Sequence, residues 1–192
     1  MPELPDESSD EWQCICRSGG LMSKSYDYIM RELLCHPECS LYALVDGLQF
    51  ERHFGYEIES EIAITYPLFD LYPDSKLAFA GPWLIRLNRS EFYRGRLKEL
   101  DMKYPALSWL LSPLSPEGLL QKFKEFLTIE LPNGKSALFR FYDPRVLEHL
   151  SVWLELPERS RLIQGVKQWV LTSRGEVLDL RTELDERNFG KR

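Results

Sequence analysis

Residues 127–147, LTIELPNGKSALFRFYDPRVL, leave a chain few choices of shape. Two short apolar stretches flank Pro132-Asn133-Gly134, a turn signal, so they read as the arms of an antiparallel hairpin. Asp143-Pro144 then ends the second arm, because aspartate is a favoured helix cap and proline suits the first helical turn. In the arm from Ala137 to Tyr142, alternation sends Ala137, Phe139 and Phe141 to one face and Leu138, Arg140 and Tyr142 to the other. The first face is core. The second holds a guanidinium between an aliphatic and an aromatic neighbour, which needs a partner for its charge or a head that reaches water. Arg140 is therefore expected to pair with Asp46 or Asp143. Arg145 meets the unfavourable end of the helix dipole and calls for a nearby acid or an external anion. Such a dense set of charges marks either a reactive site or a structural joint. The arithmetic of caps and dipoles favours a joint, with the two arginines left to bind something.

The rest of the chain organises around this segment. A length of 192 residues fits one domain, or one domain built from two lobes. Residues 1–20 read as an acidic, mobile arm, 21–173 as the folded domain, and 174–192 as a charged tail or frayed helix. Tyr26, Ile29, Met30, Leu33 and Leu34 recur at helical spacing up to Cys35. LYALVDG, residues 41–47, is a buried strand stopped by Asp46-Gly47; 48–59 suits a short helix. Trp83–Leu87 and Ala106–Ser112 read as strands, with a helix over Arg89–Leu100 between them. Ser115-Pro116-Glu117 opens a helix with Leu119, Leu120, Phe123, Phe126 and Leu127 on one face. Pro144 starts another bearing Val146, Leu147, Leu150, Trp153 and Leu154; Leu156-Pro157-Glu158 starts a shorter one, and VKQWVLTS closes as a strand. This order predicts an α+β fold: a mixed, mainly antiparallel sheet with helices packed against it.

Composition narrows function. The net charge of −6 comes largely from Glu3, Asp6, Glu7, Asp10 and Glu11; the other 25 acids face 24 bases. A nearly neutral body gives no electrostatic reason to bind nucleic acid or anionic lipid. The start is acidic and lacks an apolar stretch, so no signal peptide is expected and the chain is placed in the cytoplasm with reduced thiols. Cys14, Cys16, Cys35 and Cys39, with His36, match no common zinc spacing and are read as structural or incidental. No glycine-rich phosphate loop follows a strand, so no cofactor is expected. The three histidines and the serines form no catalytic set; His149 is a flank residue. Asp46 suits a turn better than a nucleophile or metal ligand.

LYALVDG, YPLF, GPWLIRL and LPNGKSALFRFYDPRVL, in this order, resemble the adaptor–chaperone family of bacterial type VI secretion, over residues 41–169. The resemblance implies no catalysis. It implies a protein that binds a toxic effector in the cytoplasm and mounts it on the VgrG spike, with both proteins as partners. The family's motifs fall on Tyr42 to Gly47, including Asp46, and on Phe139, Arg140, Phe141, Tyr142, Asp143, Pro144 and Arg145. The acidic, cysteine-bearing start is not part of the resemblance, and an effector-selecting C-terminal extension is expected to be short or absent. Candidate partner contacts are Arg140, Tyr142, Asp143, Arg145, Tyr66 and Trp83, because partner surfaces favour aromatics and arginine. Tyr42, Asp46, Gly47, Phe139, Phe141 and Pro144 are assigned to shaping the fold. Two rival readings are an immunity protein that caps a toxin and a small hydrolase built on Asp46 and Asp143.

Overall fold

The computed structural model describes residues 23–70, 74–131 and 133–181, so the acidic arm, Cys14, Cys16 and residues 182–192 lie outside the described residues. Ser23 caps α1 (Lys24–Cys35) by accepting the Tyr26 N–H. β1 (Ser40–Asp46) leads directly into α2 (Gly47–Phe54), which ends at Gly55 with φ 76°, the left-handed stop that glycine provides. After β2 (Thr65–Pro67) a 3-10 helix spans Asp74–Ala80, and β3 (Pro82–Arg86) follows. α3 (Glu91–Lys103) is capped by Ser90, and β4 (Leu107–Ser112) precedes α4 (Pro116–Lys124), capped by Ser115 as its sequence requires. The hairpin arms are β5 (Thr128–Glu130) and β6 (Ser136–Leu138). Three short helices follow, α5 (Pro144–Leu147), α6 (Leu150–Trp153) and α7 (Leu156–Ile163), then β7 (Gln168–Ser173) and β8 (Glu176–Asp179).

Six strands form one sheet in the order β2-β3-β1-β4-β7-β8, and every pairing in it is antiparallel. The hairpin forms a separate two-stranded sheet. β1 is central and buried on both sides, so its period of two divides the core. Tyr42 and Leu44 join Leu84, Leu110, Trp169 and Leu171 beneath α4, the hairpin and α5–α7. Leu41, Ala43 and Val45 join Ile85, Trp109 and Val170 beneath α1, α2 and α3. The result is an α+β protein, as expected, whose large sheet is antiparallel throughout rather than mixed and lies between two helical layers.

Several expectations are corrected. β6 stops at Leu138 rather than Tyr142, because Phe139, Phe141 and Tyr142 are all buried and a flat strand cannot turn adjacent residues to one core. The helix expected from Pro144 breaks around His149 into two single turns. α4 ends at Lys124, and Phe126 and Leu127 reach the core from the turn after it. The charged stretch after residue 173 does not begin as a tail: Arg174 and Gly175 (φ 52° and 80°) make a tight turn that adds β8 to the sheet. Among the described residues no helix is long and apolar enough to cross a membrane.

Candidate functional site

The two motifs meet at one end of β1. Asp46 is the last residue of that strand and the cap of α2; its Oδ1 accepts the N–H groups of Leu48 (3.1 Å) and Gln49 (3.3 Å). Its Oδ2 accepts from Arg140 Nη2 at 2.8 Å. Arg140 lies just beyond the hairpin, on the opposite helical layer from α2, so the ion pair clasps the two layers across the sheet's end. The Arg140 guanidinium also stands over the Tyr142 ring, 5.5 Å from its centroid. Of the two partners that the sequence leaves open, Asp46 takes Arg140. Asp143 takes Arg145 instead: it caps α5 through the Arg145 N–H (3.0 Å) and holds the same residue's Nε (2.9 Å) and Nη2 (2.7 Å). The fork-shaped contact offsets the poor dipole position of Arg145 from within, so this arginine is not left without a partner.

Burial pushes the Asp46 carboxyl above its ordinary range, against the lowering pull of Arg140, and the nearby Asp143 adds to the rise. Burial works against the charge of Arg140, yet Tyr142 and the two carboxylates outweigh it and raise its pKa. Hydrogen bonding to Asp143 raises that of Arg145. Burial likewise raises the Tyr142 hydroxyl. The cations are thus firmly charged, while the cost of desolvation falls on Asp46.

Gly47 fits the same corner for a steric reason. A Cβ there would lie 2.2 Å from the Phe79 carbonyl oxygen and 2.7 Å from that of Gly81, and the Gly47 N–H donates to the latter at 2.9 Å. Trp83, expected at a partner surface, is only 4% exposed; it packs in the core beneath α1–α3, and its indole N–H donates to the Ala78 carbonyl (2.9 Å). Tyr142 is also buried, and Tyr66 is half-buried on the edge strand β2. Tyr42 is buried and donates its hydroxyl to the Leu114 carbonyl at 2.8 Å. Phe139, Phe141 and Pro144 are buried beneath the clasp. Of the six candidate contacts, Arg140 and Arg145 keep substantial exposed surface, at 43% and 61% of their side chains.

Two features were missed by sequence reasoning. One is a groove of about 750 Å³ beside the clasp, between the hairpin, α5 and α7, which Arg140 helps to line. Its signal was the apolar Leu138 facing away from the core. The other is a polar knot under α1. Buried Asp101 accepts from Ser23, Ser25, Trp109 Nε1 (3.3 Å) and Thr172 (3.2 Å), joining α1, α3, β4 and β7. The available signal was a lone acid on the apolar face of α3, beside Tyr93, Leu97 and Leu100. Among the described residues no group of three or more His, Cys, Asp or Glu could hold a metal ion, and Cys35 and Cys39 are free thiols.

A family model described as a domain of unknown function (DUF4123) matches residues 41–161, from β1 into α7. The chain belongs to the DUF4123 family. No curated protein and no solved structure matches it. The DUF4123 match takes in both motifs, the clasp and the hairpin, whereas α1, β7 and β8 lie outside it.

Proposed function

We propose that this chain is a non-enzymatic adaptor that binds a toxic effector in the cytoplasm and loads it onto the VgrG spike of a type VI secretion system. The observation that carries this reading is DUF4123 membership over residues 41–161, a span that holds the motifs resembling type VI adaptor–chaperones. The state of the acids supports it. Asp46 and Asp143 are buried, and each carboxylate oxygen of both is engaged by the protein's own donors. A nucleophile or general base needs an oxygen within reach of substrate. The clasp gives these acids a structural task, which weighs against the hydrolase reading.

The test is genetic and biochemical. Deleting the gene is expected to stop export of the effector encoded beside it while the producing cell stays healthy. The purified protein is expected to hold that effector and hand it to the spike. Self-intoxication of the deletion strain would overturn the reading in favour of immunity. Retained turnover of a small compound, abolished by Asp46→Asn, would overturn it in favour of hydrolysis.

A further inference from the structure

The groove beside the clasp combines an apolar floor with a rim that is negative on balance. Phe139 is buried at its base, Ile129, Val146 and Leu154 are half-buried, and Leu138 on β6 is 52% exposed. That surface can lose water only by taking up apolar groups from elsewhere. Glu125, Glu130, Glu155 and Glu158 stand around it, against Arg140 and Arg161. Arg140 is already neutralised by Asp46, and Arg161 sits 3.5 Å from Glu125, so the rim is negative overall. The Glu155 N–H donates to Glu158 at 2.8 Å, which holds the latter carboxylate at the start of α7.

We propose that this groove docks a basic, apolar-anchored segment of the cargo polypeptide. A few Leu, Ile, Phe or Met side chains would cover the floor while Lys or Arg meets the glutamate rim. That the segment belongs to a cargo rests on the adaptor reading; the chemistry of the segment rests on the groove. Charge complementarity selects this occupant. An acidic segment would meet like charge, and a symmetric contact between two copies would set one glutamate rim against the other.

Two synthetic amphipathic peptides of equal length, one of leucine and lysine, the other of leucine and glutamate, serve as probes for the full-length protein. Fluorescence anisotropy is expected to show the lysine peptide bound about tenfold or more tightly than the glutamate peptide, with the preference shrinking as salt rises. The double variant Glu125→Lys with Glu130→Lys is expected to erase that preference while its thermal melt stays close to wild type; both glutamates are exposed. The single variant Leu138→Gln, at an exposed floor position, gives an independent reading and is expected to weaken the lysine peptide several-fold. Equal affinity for the two peptides, or unchanged affinity in both variants, overturns the assignment. A benzophenone side chain placed at position 138 is expected to crosslink to the lysine peptide; crosslinks to a second copy or to the protein's own chain overturn it. The effector encoded beside the gene separates this proposal from the adaptor reading. If wild type and the double variant retain it equally, the groove fails and the adaptor reading stands. If wild type does not bind it, the adaptor reading fails, and the peptide preference alone decides the groove.

Discussion

The side chain of Arg140 is 43% exposed and that of Asp46 2%, so the ion pair is uneven, and each substitution acts differently. Arg140→Ala leaves a buried carboxylate with only its two backbone donors. Loss of one partner from a fully buried pair costs about 3–5 kcal/mol, and the guanidinium's exposure reduces this to about 1–2 kcal/mol. For a domain of this size that is a fall of about 2–8 °C in melting temperature, and an unchanged melt would remove the clasp from the account of the fold. Arg145→Ala is expected to cost under about 1 kcal/mol, because Asp143 keeps its backbone cap. Asp46 also carries a pH signature. Its folded pKa is raised, so the folded state binds the proton more tightly than the unfolded chain. Its contribution is most favourable below the ordinary value of 3.8 and is lost as pH rises through the raised one. Asp46→Asn removes this term. Urea unfolding of both proteins between acid and neutral pH should therefore show wild type losing ground to the variant as pH climbs.

At the scale of elements, what could be read in the sequence was local. Ser115 and Asp143-Pro144 announce helix starts through side chains that answer nearby N–H groups, and each start lies where they put it. The strands β1, β4 and β7 were visible as short apolar runs, and the hairpin through its Pro-Asn-Gly turn. Features decided by packing were not visible. The pattern around Trp83 showed a strand but not that helices cover both faces, so a buried tryptophan passed for a surface one. Arg140 had two candidate acids, and only the packing of Phe139 and Phe141 against the sheet face that carries Tyr42 and Leu44, which sets Arg140 beside the end of β1, selects Asp46. β8 escaped notice because Glu176 is exposed and Val177 and Leu178 are half-buried, a composition shared by tails and edge strands. Its turn suggests a stabilising change. Arg174 has φ 52°, where asparagine is tolerated better than arginine, so Arg174→Asn should raise stability by roughly 0.5 kcal/mol in urea unfolding.

Across the whole molecule, two devices of different kinds hold the layers to the sheet: the clasp at one end of β1, and the Asp101 knot beneath α1. The knot lies in the core's interior, where an unmatched donor is costly. Asp101→Ala would take the carboxylate acceptor from Ser23 and Ser25, while Trp109 and Thr172 keep the Ser25 hydroxyl oxygen at 3.1 and 3.0 Å, so the expected loss is about 1–3 kcal/mol. Urea unfolding followed by tryptophan fluorescence should register it, and a loss no greater than that of Arg145→Ala would show that water replaces the carboxylate. The large sheet ends on one side at β2, three residues long and finished by Pro67, which has no N–H to donate; on the other it ends at β8, four residues long and bounded by Glu176 and Asp179. Margins so short, one ending in proline and the other flanked by acids, make bad templates for fibril growth. The sheet thus keeps its peptide groups for itself, and any polypeptide that met its margins would have to be held by side chains, whose grip can be released one contact at a time.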